Sequence, residues 1–135
     1  MNQALDAGSF FLFGIILRWL LFHKLSPCQA FLHEPTSSPS LCYDLMEPYR
    51  YLKEDSVACA YIDVGIDQES PLTAVSIEKL NRDLEVFSYV PATRQTAANE
   101  NLLHGIILAL RSYLIGDDKR FLVPVTGDKI GWRLN

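Results

Sequence analysis

Apolar positions crowd the first stretch of the chain. From Gln3 to Lys24 they recur on every side of a helical wheel, and GSFFLFGIILRWLLF (Gly8 to Phe22) is the densest run. A helix that is apolar all round is expected to be buried on nearly every face. His23 and Lys24 suit the negative end of its dipole, and Ser26 and Pro27 break it. Gln29 to Leu32 is a short apolar run leading into His33. Glu34 to Ser40 (EPTSSPS) then reads as a loop, being made largely of proline and hydroxyl residues.

Helical spacing returns at Leu41, with Ser40 as the expected N-cap. Pro48 falls inside this pattern and predicts a kink or split after Met46 or Glu47. Tyr49 to about Ile62 predicts a further helix that buries Leu52, Cys59 and Ile62. Asp63 to Leu72, with Gly65 and Pro71, reads as a connection. Ser76 is the expected cap of a helix running to about Glu85, with Ile77, Leu80 and Leu84 on one face. Val86 to Val90 (VFSYV) alternates weakly and predicts a short extended segment. A long helix follows from about Thr96 to Ile115, striped by Leu102, Leu103, Ile106, Ile107, Leu110 and Leu114 and stopped by Gly116. Phe121 to Val125 predicts another short extended run, and Gly127 to Asn135 a loosely ordered tail that includes Trp132.

These elements predict a mainly α fold with at most short extended segments. Barrel, Rossmann and sandwich folds need regular strands that the pattern lacks. The 135 residues suit a single domain with one core, 1–135, and a composition 49% hydrophobic and 21% charged is that of an ordered globular chain. The apolar run at Gly8 to Phe22 is short for a membrane span and Arg18 interrupts it, so no membrane partner is expected, and a membrane anchor is only the minor reading. No basic residue precedes the run, as a signal peptide would require. Cys28, Cys42 and Cys59 have no CxxC spacing and are expected as reduced, mostly buried thiols of a cytoplasmic protein.

Net charge changes the picture for partners. At −4, with twelve scattered basic residues, the chain can grip DNA only through a local patch or with other chains. Arg94, Lys119 and Arg120 are expected as solvated surface residues, Asp117 and Asp118 as part of a surface turn, Trp19 as core, and His23 and His104 as solitary histidines at helix surfaces.

Metal-binding groups concentrate in FLHEPTSSPSLCYDLMEPYR, Phe31 to Arg50. His33 precedes the loop; Asp44 and Glu47 follow it, three residues apart, a spacing that puts two carboxylates on one helical face. If the loop folds back, the imidazole of His33 and the carboxylate of Glu47 meet at one ion. One imidazole with carboxylates and water suits Mn²⁺ or Mg²⁺ better than a closed zinc site. The spacing is equally that of a core histidine and of a Glu47–Arg50 surface ion pair.

The order of residues adds to this. FLHEP, a short Ser/Pro loop and PSLCYDLMEPYR resemble the signature of the CRISPR-associated integrase/endonuclease family, in which a histidine and a D-L-x-E-P-[FY]-R segment supply the active site. MNQALDAGSF resembles that family's Asn-rich helix start, and YVPATRQTAANENLLHGIILALRSYLIGDDKRFLVPV its closing helix and tail. The resemblance implies the family's C-terminal helical domain, with His33, Asp44 and Glu47 as catalytic residues, His33 and Glu47 as metal ligands, and Arg50 either contacting DNA or bracing the kinked helix.

It also implies Mn²⁺ or Mg²⁺ as cofactor and phosphodiester cleavage and strand transfer during spacer acquisition in antiviral defence. The implied partners are DNA, a second copy or a complementing N-terminal fragment, and a small CRISPR-associated ferredoxin-like dimer. Family members are usually much longer: they begin with a β-rich dimerisation domain, and a helix before the histidine supplies a third, glutamate ligand. Here no glutamate precedes His33, and the acid on that side is Asp6. An inactive remnant or structural subunit with the same fold is therefore the rival expectation.

Overall fold

The computed structural model describes residues 2–28, 39–65, 69–91, 93–126 and 133–134. His33, the Gln29 to Leu32 run, most of the Ser/Pro loop, and Trp132 with nearly all of the expected tail lie outside them. The fold is mainly α. Helix α1 spans Asn2–Phe22, α2 Ser40–Met46, α3 Arg50–Val64, α4 Glu69–Glu85 and α5 Asn99–Leu114. A 3₁₀ turn at Glu47–Tyr49 joins α2 to α3. Strands β1 (Phe87–Val90) and β2 (Gln95–Ala98) form an antiparallel hairpin pairing Phe87 with Ala98 and Tyr89 with Thr96. A minimal ladder joins β3 (Phe121–Leu122) to β4 (Arg133–Leu134).

Helix α1 packs against α2, α3, α4 and α5 and is the centre of the bundle. Its buried stripe is Ala4, Gly8, Leu12, Ile16 and Leu20, a strict four-residue repeat. That repeat corrects the expectation of burial on nearly every face: Phe10 is 74% exposed, and Leu21 and Phe22 also face outward. By length and composition α1 could cross a membrane, but as placed its stripe completes the core. The helix ends where Lys24 adopts a left-handed φ of 58° and the Leu25 amide donates back to the Leu20 carbonyl, a C-cap that turns the chain toward α2.

The main core joins Leu12, Ile16 and Leu20 of α1 to Leu41 and Leu45 of α2, Leu80 and Leu84 of α4, and Leu102, Leu103, Ile106, Ile107 and Leu110 of α5. A smaller cluster of Ala4, Val57, Ala60 and Leu72 closes the other end. Close approach there is set by size. A Cβ on Gly8 would come within 2.8 Å of the Lys53 Cβ, so glycine lets α1 touch α3.

Several local expectations change for identifiable reasons. Ser40 is the first residue of α2 rather than its side-chain cap, and its hydroxyl donates to the Cys28 carbonyl (3.4 Å). Ser76 lies inside α4, because the helix starts at Glu69 with Pro71 tolerated in its first turn. The buried Ser76 hydroxyl instead donates to the Leu72 carbonyl at 2.6 Å. Cys59 and Ile62 face solvent on α3, Ile62 at 81% exposure, since Leu52, Ser56, Val57 and Ala60 take the buried face. Of the three thiols Cys42 alone is buried, and burial pushes it up to about 12. Residues 96–98, expected as the start of the last helix, pair with β1 instead as part of β2. Gly116, at a φ of 83°, follows α5 as expected.

The two histidines expected to stand alone meet. His23, just past α1, and His104, on α5, place their Nε2 atoms 2.9 Å apart, and the Trp19 ring stacks on His104 at 3.7 Å between centroids. Desolvation first, and the neighbouring His23 second, hold His104 below its ordinary value of 6.5.

Candidate functional site

Asp44, Glu47 and Arg50 lie around the break that follows α2. Pro48 cannot continue the α2 hydrogen-bond ladder, so the chain tightens into a single 3₁₀ turn and restarts at Arg50. The Tyr49 ring is fully buried, and its hydroxyl donates to the Pro124 carbonyl at 2.7 Å, which pins the break to the segment after α5. Burial raises the Tyr49 phenol well above its ordinary value, so it stays a neutral donor.

This break divides the motif's acids. Asp44 is 6% exposed and belongs to the buried side of α2, whereas the Glu47 side chain is 42% exposed. The single shared face expected from their spacing is thus split between interior and surface. Glu47 lines a hollow of about 230 Å³ together with Ser9, Tyr43, Arg50 and Lys53. Arg50 reaches back to Glu47 at 3.7 Å and forward to Glu54 at 2.9 Å. Lys53 donates to the Ser9 hydroxyl, which in turn donates to the Leu5 carbonyl at 3.1 Å.

Glu47 is therefore solvent-facing and within reach of an ion. Its partner of the moment is a loosely held guanidinium rather than a close ion pair. Among the described residues no three His, Cys, Asp or Glu side chains cluster closely enough to hold a metal. His33 lies outside those residues, so the structure joins Glu47 with Arg50 and says nothing of the imidazole. The sequence reading passed over Lys53, Ser9 and Tyr43. The signal for Lys53 was its place three residues after Arg50 and six after Glu47. The Gly8–Ser9 pair, small enough for a close helix approach, was the signal for Ser9. The second basic group of the surface, Lys119 and Arg120 with Asp118, lines a separate hollow of about 310 Å³ near β3. Arg94 sits exposed in the hairpin turn at a φ of 56°.

Comparison with known proteins bears on the family and the fold. The family described as CRISPR associated protein Cas1 matches residues 1–76, which include α1, the His33 to Arg50 signature and α3. No curated protein sequence matches. Among solved structures, a casposase bound to integration product superimposes with a TM-score of 0.77 at 18% identity, covering 87% of this chain and 38% of that one. A CAS1 protein from Thermotoga maritima superimposes with a TM-score of 0.72 at 17% identity, covering 85% of this chain and 40% of that one. At such identities the likeness is one of fold, and the chain spans about two-fifths of the length of each neighbour.

Proposed function

Because the chain belongs to the Cas1 family, we propose that it is the helical, metal-binding part of a CRISPR spacer-acquisition integrase, acting on DNA phosphodiesters. The supporting observation is the position of Glu47: the break at Pro48 turns this carboxylate out into a hollow that also holds two cationic side chains. In this reading Glu47 and His33 are the protein ligands of one Mn²⁺ or Mg²⁺, hard cations that take carboxylate, imidazole and water.

Such an ion, when bound, would supply Lewis acidity and lower the pKa of a water or hydroxyl. Glu47 would hold it together with His33. Arg50, paired in the structure with Glu47 and Glu54, would turn to a phosphate oxygen. Asp44, buried one turn earlier, fixes the α2 end that carries Glu47. Partners follow from the chemistry: DNA, a second copy or a chain supplying further acidic ligands, and the small ferredoxin-like dimer that the resemblance implies. A cytoplasmic site of action accords with reduced cysteines.

A second reading is favoured by one feature of the structure. Glu47 is engaged by Arg50, and among the described residues no third ligand stands near it. In that reading the chain keeps the helical fold as a structural subunit with no nuclease activity. Incubating the chain with branched DNA and Mn²⁺ separates the two. Cleavage or strand joining that disappears in Glu47→Ala and in His33→Ala supports the enzyme. Absence of any Mn²⁺-dependent product, alone or with an added N-terminal domain, supports the structural subunit.

A further inference from the structure

The hollow beside Glu47 is lined by a cation that no carboxylate among the described residues pairs with. Lys53 is half-buried on α3, at the point where Gly8 lets α1 come into contact. Its stem runs along that contact: a Cβ on Gly8 would meet the Lys53 Cβ at 2.8 Å and Cδ at 3.7 Å. One of its three N–H donors goes to the neutral Ser9 hydroxyl. Among the described residues no carboxylate lies within ion-pairing distance of it, whereas Lys79 and Arg82 each have one and Arg50 has two.

A half-buried lysine whose ammonium, among the described residues, meets a neutral hydroxyl and no counter-ion favours an anion. The hollow has the volume for one, about 230 Å³, and Tyr43 and Arg50 also line it. Glu47 would repel an anion by itself. Arg50 and Lys53 outnumber it among the charged residues that line the hollow.

The geometry points to this hollow as a phosphate seat, in which Lys53 anchors a non-bridging oxygen of a DNA phosphodiester next to Glu47. The assignment rests on the proposed DNA chemistry for the identity of the anion, but not on the metal for the seat. Lys53 is a positioning residue here: it sets where the strand lies. Arg50 lines the same hollow.

The test uses a fluorescein-labelled DNA duplex, with anisotropy read across a salt series, in Mg²⁺ and in EDTA. Lys53→Met is expected to weaken binding about tenfold at low salt, whatever the sequence, and to reduce the slope of log K against log[salt] by about one. Lys53→Arg restores most of the affinity, and Lys24→Gln, on an exposed lysine outside the hollow, leaves it unchanged. Circular dichroism establishes that Lys53→Met is folded.

An unchanged affinity and slope in folded Lys53→Met overturns the seat, as does a wild-type chain with no measurable affinity for the duplex. Failure of the metal reading looks different: Glu47→Ala and wild type then behave alike in Mg²⁺ while the Lys53 dependence persists in EDTA. Mn²⁺-dependent cleavage together with Lys53-independent binding sinks the seat alone.

Discussion

Tyr49→Phe isolates one hydrogen bond that ties the signature segment to the rest of the fold. The Tyr49 ring is fully buried and its hydroxyl meets the buried Pro124 carbonyl at 2.7 Å. Phenylalanine fills nearly the same volume, so the packing of the 3₁₀ turn survives. What changes is the acceptor: a buried proline carbonyl loses its donor in a place closed to water. Leaving such a group unpaired costs about 1–3 kcal/mol, against a net value nearer 1 kcal/mol for an average hydrogen bond. A loss of about 1–2 kcal/mol is therefore expected, which lowers Tm by roughly 3–8 °C for a domain of this size. Urea unfolding followed by circular dichroism should move the midpoint down with an unchanged m-value. A midpoint equal to or above that of wild type would refute the argument, because it would mean that water reaches Pro124 or that the bond does not form.

Three further outcomes follow from the packing. Gly8 and Gly14 share α1 but differ in surroundings: a Cβ on Gly8 meets Lys53 at 2.8 Å, and one on Gly14 meets nothing within 4 Å. Gly14→Ala should stabilise by about 0.5–1 kcal/mol, and Gly8→Ala should destabilise by about 1–3 kcal/mol; the same sign for both in chemical denaturation would contradict the placement of α1. Ile106→Ala, at a fully packed core position, should cost about 2–5 kcal/mol, and a loss under 1 kcal/mol would remove α5 from the core. Acid should loosen the His23–His104 contact. Because His104 is held below 6.5 in the folded state, the unfolded state binds its proton more readily, so this contribution is complete above 6.5 and fades as pH falls through the lowered value. Tm should drop from pH 8 to pH 5 more steeply in wild type than in His104→Phe, and parallel profiles would count against the contact.

Helix existence was legible wherever periodicity was strong. The α5 stripe from Leu102 to Leu110 and the break at Pro48 needed only residue spacing and the loss of one amide donor. What escaped was context. Residues 95–98 follow a turn that brings them beside β1, and strand pairing overrode a pattern that continued smoothly into the helix. Ser76 carries the same hydroxyl whether it caps or bonds back, so only the true start of α4 decides. His23 and His104 lie 81 positions apart, a separation that no local pattern bridges.

At the site, Glu47 and Arg50 were legible from the motif. Lys53 was not, because its meaning comes from Gly8 and Ser9 on another helix. The division between buried Asp44 and solvent-facing Glu47 also depends on the 3₁₀ turn, which a uniform helical wheel does not contain.

The central claim is that Glu47, turned outward by the break in the helix, seats a divalent cation together with the imidazole of His33. Electron paramagnetic resonance of Mn²⁺ titrated into the chain, with pulsed detection of nitrogen coupling, tests it directly. The account predicts a bound ion with histidine nitrogen coupling that vanishes in His33→Ala, and binding that collapses in Glu47→Ala. Bound Mn²⁺ without nitrogen coupling, or equal uptake by wild type and Glu47→Ala, would contradict it.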